Sequence, residues 1–147
     1  MQVSDKITLL NCDCMEYMAT LPDKAFELAI VDPPYGINVN GMVMGGRQTV
    51  KPDSNKVWDT AIPNEAYFTE LMRVSVNQII WGGNYFPSIW PSRGFIVWDK
   101  GETMYGRSFA EVEQAWTSFD KAARIYKQAP TDAFRIHPTQ KPVKLYE

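Results

Sequence analysis

The sequence predicts an α/β fold whose sheet is mostly parallel, with an antiparallel strand near the C-terminal part. Short runs of continuous apolar residues have strand length, segments of helical period separate them, and polar or turn-forming residues end each run. Continuous apolar runs are typical of strands buried on both faces of a parallel sheet, and their alternation with helices indicates βαβ units. A length of 147 residues fits one domain. We therefore expect a single α/β domain over residues 1–147.

The N-terminal part contains two predicted strands, one helix and one long loop. The apolar run at 7–10 predicts a strand, and apolar residues at helical spacing in 14–21 predict a helix that Pro22 ends. The run LAIV at 28–31 predicts a strand buried on both faces. Residues 36–56 contain four glycines and few large apolar side chains, which predicts a long mobile loop.

The second half of the chain continues the alternation. An amphipathic pattern predicts a helix at 65–76, and Trp81 and Trp98 are predicted to be core residues of the strands that contain them. Strands are predicted at 78–81, 95–98, 111–117 and 124–126, with a short helical turn at 85–89.

The composition excludes several classes of protein. With 45% hydrophobic and 22% charged residues, the chain is not expected to be disordered. No apolar run approaches the roughly 18 residues of a membrane span, and the N-terminus lacks the features of a signal peptide. Cys12 and Cys14 are too close in sequence to bridge easily, so we expect reduced thiols in a cytoplasmic protein. The single histidine, His137, leaves a metal site or a Ser–His–Asp mechanism without support.

Charge is unevenly distributed along the chain. The net charge is −2, but residues 1–120 are acidic whereas residues 121–144 carry six basic residues against Asp132 alone. Such a segment is either a solvated surface or the part that meets nucleic-acid phosphates. The candidate phosphate contacts of the basic segment and of the long loop are Arg47, Lys51, Lys121, Arg124, Lys127 and Arg135.

The most distinctive turn is Asp32-Pro33-Pro34-Tyr35, directly after the LAIV run. Ligands bind at the carboxyl ends of strands in open α/β sheets, and two prolines make the turn stiff. A carboxylate and a carbonyl oxygen can accept both hydrogens of a planar exocyclic amine, and an aromatic ring can stack on the heterocycle. An ordinary strand-ending turn is the alternative interpretation.

Four segments resemble, in the same order, the amino-group DNA methyltransferases with β-type motif order. DPPY at 32–35 resembles their catalytic motif, and the region from Leu9 to Gly36 resembles the sequence that leads to it. IIWGGNYF at 79–86 and FIVWDKG at 95–101 resemble the two strands that follow. HPTQKP at 137–142 is similar to the motif that enters the cofactor-binding half.

The resemblance implies the catalytic half of a doubly wound, Rossmann-like sheet and S-adenosylmethionine as the methyl donor. It also implies DNA as the partner, with a target base rotated out of the duplex. Asp32 and the Pro33 carbonyl would then accept from the amine, next to Pro34, and Tyr35 would stack on the base. Asp before the prolines favours adenine N6. Cytosine N4, RNA and protein amides remain alternatives, as does a non-catalytic fragment that keeps the base pocket.

The same resemblance suggests cofactor contacts. They would come from Asp13 near the adenine of the cofactor, from Asp32, and from His137, Thr139, Gln140 and Lys141 near its methionine end. Lys141 could be the salt partner of a carboxylate or a simple surface charge. Gly82 and Gly83 could permit close backbone approach or serve only helix–strand packing.

One departure from the family limits these expectations. The Gly-rich cofactor loop that follows HPTQKP in the family has no counterpart in these 147 residues, so we expect a domain truncated before that motif. Its absence would leave the LAIV strand with an unpaired edge. We expect that a second copy of the chain, or the 7–10 strand, pairs with this edge.

Overall fold

The computed structural model describes residues 2–4, 6–38, 59–107, 109–130 and 140–147. Two α-helices occur in this part of the chain, α1 (Cys14–Ala19) and α2 (Glu65–Val74). The strands are β1 (Gln2–Ser4), β2 (Ile7–Thr8), β3 (Phe26–Val31), β4 (Ser75–Trp81), β5 (Phe95–Asp99), β6 (Val112–Thr117) and β7 (Arg124–Lys127). Across these residues, no helix has the length and apolar character needed to cross a membrane.

Five strands form one mixed sheet in the order β3-β4-β6-β5-β7. The β3–β4 and β5–β7 pairs are parallel, whereas β6 is antiparallel to both β4 and β5. Four strands therefore share one direction and β6 opposes them. This confirms the predicted α/β class, with a mostly parallel sheet and an antiparallel strand toward the C-terminal part.

The helix expected at 65–76 ends two residues early, at Val74, and the chain passes directly into β4. Asn64 caps the helix by accepting from the N–H of Tyr67. At the other end, the Lys24 ammonium donates to the carbonyl oxygens of Met72 and Ser75, at 2.7 and 2.8 Å. A long-range donor satisfies carbonyls that a further helical turn would otherwise use, which a local pattern does not reveal.

Where a helical turn was expected at 85–89, a 3₁₀ turn at Gly83–Tyr85 comes first, and a separate turn follows in which the Ile89 N–H donates to the Phe86 carbonyl at 3.4 Å. Pro87 explains the shift, because it has no N–H to donate and restricts Phe86, which is extended. The N-terminal strand also differs from its prediction. Within the described residues, Ile7–Thr8 pairs with Gln2–Ser4 in a separate hairpin and not with β3, so the expectation that the 7–10 strand fills the edge of the main sheet was wrong.

The core lies on both faces of the central strands. On one face, Phe68 and Leu71 of α2 pack with Ile80 and Phe86, and all four are at most 3% exposed. On the other face, Trp81, Trp98 and Ala115 form a second buried cluster. Trp81 and Trp98 are each 2% exposed, which confirms that they are core residues.

The prediction that LAIV is buried on both faces was wrong for β3. Leu28 is 42% exposed and Ile30 is 41% exposed, whereas Ala29 and Val31 pack against the α2 cluster. The reason is position, because β3 is the outermost strand and pairs only with β4 within the described part of the chain. Its outer edge and one face therefore remain uncovered there, as expected for a sheet without its next strand.

The topology brings the ends of three strands to one edge of the sheet. Since β3, β4 and β5 point the same way, the residues that follow them, Asp32, Gly82 and Lys100, lie at their carboxyl ends. β6 runs in the opposite direction, so it begins at this edge, where Glu113 pairs with Trp98. Glu113 is therefore brought to the same edge as the Asp32 turn.

Candidate active site

The carboxylate of Asp32 is held at both oxygens. The Tyr35 hydroxyl donates to Oδ1 at 2.7 Å, and the Lys141 ammonium donates to Oδ2 at 2.7 Å. Lys141 Nζ also lies 3.1 Å from the Tyr35 hydroxyl oxygen, so the three groups form a closed ring of contacts. The Asp32 side chain remains 38% exposed, which leaves one side of the carboxylate accessible.

Lys141 is a salt partner and not a surface charge, which decides between the two interpretations of its role in the sequence. Its side chain is only 5% exposed, and its ammonium lies 3.1 Å from Glu113 Oε2 as well as against Asp32. The ammonium also lies 5.6 Å from the centre of the Tyr35 ring and 5.3 Å from that of the Trp81 ring. Two carboxylates and two aromatic rings compensate the buried charge.

A second lysine completes the cluster. Lys100 Nζ contacts Glu113 Oε1 at 2.7 Å, with the two side chains 11% and 22% exposed. Lys100, Glu113, Lys141 and Asp32 thus alternate in sign and balance one another. We call these four residues the charge row.

Burial and charge shift the pKa values around the row. Burial alone would raise the pKa of Glu113, but Lys141 and Lys100 outweigh it and hold that pKa below its ordinary value. Burial, and then the Asp32 carboxylate, raises the pKa of Tyr35 strongly, so its hydroxyl stays protonated and able to donate. Burial, together with Asp32 and Glu113, raises the pKa of Tyr146 to about 12.

Asp59 fixes the backbone of the turn from beneath. One of its carboxylate oxygens accepts from the N–H of Tyr35 at 2.8 Å and from that of Gly36 at 2.9 Å. The residue is 3% exposed, so these bonds are shielded from water. The turn is therefore held by a side chain as well as by its two prolines.

The Tyr35 ring lies between Gly82 and Tyr85. Tyr35 and Tyr85 stack with ring centres 4.9 Å apart and an interplanar angle of 13°. Gly82 has a φ of +73°, and a Cβ at this position would lie 2.2 Å from a Tyr35 ring carbon. Close approach is therefore the role of Gly82, and the neighbour that approaches is the Tyr35 ring.

Among the predicted cofactor residues, Asp13 has a structural role at the start of a helix. Asp13 caps α1 by accepting from the N–H groups of Met15 and Glu16, at 2.7 and 3.4 Å. No contact in the described part of the chain links Asp13 with Asp32. Gln140 precedes Lys141 and is partly buried. His137 and Thr139 lie outside the described residues.

Three of the six predicted phosphate contacts lie in the described part of the chain. Lys121, Arg124 and Lys127 are exposed, at or just before β7. Lys127 pairs with Glu102 at 3.0 Å, with the two side chains 54% and 82% exposed. Most of the 36–56 loop, together with Arg47, Lys51 and Arg135, lies outside the described residues. The basic segment is thus on the surface in part, while its Lys141 is engaged inside the site.

An open groove of about 550 Å³ lies on the sheet face opposite α2. Its floor is apolar, with Ile30, Ile79 and Trp81 among the lining residues, and Arg124 and Lys144 contribute to its wall. Trp81 connects the groove with the charge row, because its ring also contacts the Lys141 ammonium.

Sequence reasoning missed four residues of this site: Glu113, Lys100, Asp59 and Tyr85. Lys100 could have been found, because it follows a strand whose carboxyl end was predicted to face the site. Glu113 lies in a strand with imperfect alternation, and nothing local distinguishes it from a surface glutamate. The chain matches no protein-family model.

Proposed function

We propose that this chain is the amine-binding, catalytic half of an S-adenosylmethionine-dependent DNA methyltransferase, with adenine N6 as its preferred target. The observation that carries the proposal is the Asp32 carboxylate, which two donors fix at the carboxyl end of a parallel strand while one side stays open. The order of the motifs along the sequence supports the same function.

The amine of adenine is a weak nucleophile because its lone pair is delocalised into the ring. Each carboxylate oxygen has two lone pairs, so Asp32 can still accept an N–H after Tyr35 and Lys141 have bound. In the proposal, Asp32 and the Pro33 carbonyl each accept one hydrogen of the amine. This leaves the nitrogen lone pair directed out of the ring plane, toward a methyl donor.

An aromatic surface beside the carboxylate supports binding of a planar base. The Tyr35 ring is stacked on Tyr85 and packed against Gly82, so it is not free to stack on a base as the sequence led us to expect. The exposed aromatic surface belongs to Tyr85, which is 37% exposed. Base–aromatic stacking contributes about 1–3 kcal/mol per base. A base taken out of the duplex would therefore find a stacking surface as well as the Asp32 carboxylate.

The described residues fit the amine side of the reaction better than the cofactor side. S-adenosylmethionine would supply the methyl group, but Asp13 is engaged as a helix cap and His137 and Thr139 lie outside the described residues. The proposal therefore assigns Asp32 and Pro33 to holding the amine, and Tyr35 and Lys141 to holding the Asp32 carboxylate. It assigns none of the described residues a role in binding the cofactor or in the transfer of its methyl group.

The proposal is tested first by binding, with nucleosides as probes. Purine riboside lacks the 6-amino group, so adenosine should bind the whole chain at least tenfold more tightly in an NMR titration, since a hydrogen bond to a charged acceptor contributes about 1.5–3 kcal/mol. Asp32→Ala should make the two affinities equal, and cytidine in place of adenosine tests the N4 alternative. No preference for an amino nucleoside would refute the proposal.

The second test is transfer of a labelled methyl group to duplex DNA, RNA or a glutamine peptide. The proposal expects incorporation into adenine of DNA, and loss of incorporation in Asp32→Ala. Retained turnover in that variant would remove Asp32 from its assigned role. Calorimetry with S-adenosylmethionine adds an independent reading, because a Kd tighter than about 100 µM, roughly 5.5 kcal/mol, favours an enzyme.

A base-binding module without methyl transfer is the second candidate. The observation in its favour is β3, whose outer edge has no partner strand in the part of the chain that the structure describes. A preference for adenosine without methyl transfer would select this candidate. Pairing of that edge with a second copy stays a prediction, and a strict monomer in sedimentation would contradict it.

A further inference from the structure

We infer that Glu113 is a positioning residue that holds Lys141 against Asp32, and so keeps the Asp32 carboxylate oriented for the target amine. The inference rests on the proposed function and adds to it a residue that does not touch the base. Nothing in the sequence pattern of β6 indicates this role.

Ion pairs link the four residues of the charge row one after another. The ion-pair distances from Lys100 to Glu113, from Glu113 to Lys141 and from Lys141 to Asp32 are 2.7, 3.1 and 2.7 Å. Exposure is lowest at Lys141, at 5%, and highest at Asp32, at 38%. The row therefore ends at one accessible carboxylate, that of Asp32, where a ligand can reach it.

The buried charge of Lys141 needs more than one carboxylate beside it. An ammonium that is almost fully buried needs compensation, and removing one partner of a buried pair leaves an unpaired charge at high cost. With Glu113 present, Lys141 has a second carboxylate. The ammonium therefore keeps a carboxylate partner when a base contacts Asp32. Lys100 in turn neutralises Glu113, which would otherwise be a buried anion.

Glu113 and Lys100 are both held by the strands of the sheet. Glu113 belongs to β6 and pairs in register with Trp98 of β5. Lys100 follows β5, and its N–H donates to the carbonyl of Glu111 at 3.0 Å. Lys141, in contrast, comes from the 140–147 segment, outside the sheet. Glu113 thus connects this segment to the sheet, as a supporting residue must do to hold a site in place.

The test compares Glu113→Gln with a matched control, Glu102→Gln. Both changes remove the carboxylate of a Lys–Glu pair, but the side chains of the Lys127–Glu102 pair are 54% and 82% exposed, and Glu102 makes no ion pair with Lys141. We expect Glu113→Gln to increase acetylation of Lys141 by acetic anhydride at least tenfold, measured by peptide mass spectrometry. The ratio of adenosine to purine riboside affinity should also fall toward one. The control should leave the Lys141 rate and the ratio unchanged.

The outcomes separate the two proposals. A wild-type preference for adenosine that Glu113→Gln leaves intact, with Lys141 still protected, overturns the positioning role while the proposed function stands. No wild-type preference overturns both. Near-UV circular dichroism reports whether Glu113→Gln folds. If it does not, Glu113→Asp replaces it, because the shorter side chain withdraws the carboxylate from Lys141. The same changes are expected, and unchanged Lys141 reactivity and affinity ratio in that variant overturn the inference.

Discussion

Replacing Gly82 by alanine tests the contact that fixes the Tyr35 ring. The new Cβ would lie 2.2 Å from one Tyr35 ring carbon and 2.6 Å from another. The Gly82 N–H donates to the Gln114 carbonyl at 2.8 Å, so the glycine backbone is tied to β6. The Tyr35 ring therefore has to move, although Tyr85 stacks against it.

Two terms set the size of the effect. A non-glycine residue in the left-handed region costs about 1–2 kcal/mol, and overpacking a filled site adds about 1–3 kcal/mol. We therefore expect Gly82→Ala to lower the free energy of unfolding by about 2–5 kcal/mol. Gly106→Ala is the matched control, because Gly106 has a φ of +70° with nothing within 4 Å of its added Cβ. Gly106→Ala should show only the cost of placing a non-glycine residue in the left-handed region.

Urea unfolding followed by tryptophan fluorescence measures both variants, since Trp81 and Trp98 are buried in the core. The difference between the two losses isolates the steric contact with Tyr35. Equal losses in the two variants would refute the reasoning, because they would show that no ring occupies the space beside Gly82. The same displacement should separate the Tyr35 hydroxyl from Asp32, and so weaken adenosine binding in Gly82→Ala only.

Asp59→Ala removes the acceptor of two backbone N–H groups of the turn, and should lower the free energy of unfolding by about 2–4 kcal/mol. A loss below about 1 kcal/mol in urea unfolding would show that the prolines alone hold the turn. Burial, and then Cys14, raises the pKa of Tyr67 to about 12, above its unfolded value of about 10. Its contribution to stability is complete below pH 10 and is lost as the pH rises through 12, so Tyr67→Phe should lose less stability than the wild type over that interval. Identical alkaline unfolding curves would contradict this assignment. Alanine at Lys121, Arg124 and Lys127 should reduce the salt dependence of duplex DNA binding by about 0.9 in log–log slope for each phosphate that is no longer neutralised. An unchanged slope in fluorescence anisotropy would place the DNA elsewhere.

Local pattern alone identified most of the secondary structure and the turn at the centre of the site. Apolar runs located β5 and the C-terminal residues of β3 and β4, because strands that pack within a sheet need apolar side chains whatever their partners are. Asp32 and Tyr35 were identifiable for a similar reason, since two prolines after a strand restrict the backbone without tertiary help.

Other features depended on residues far apart in the sequence. Lys141 reaches Asp32 across 109 positions, and Asp59 reaches Gly36 across 23. Glu113 resembles any surface glutamate until β6 inserts between β4 and β5 in the opposite direction. The order of the strands in the sheet decides which charged side chains become neighbours. The local periodicity of the sequence does not reveal that order.

The sequence by itself determined the class of fold and the stiff acidic turn. Only the tertiary structure decided that Lys141 is a buried counter-ion, that Gly82 accommodates the Tyr35 ring and that one face of β3 is open. The physical reason is that backbone preference and hydrophobic period act over a few residues, whereas charge compensation and close packing depend on which strands become neighbours.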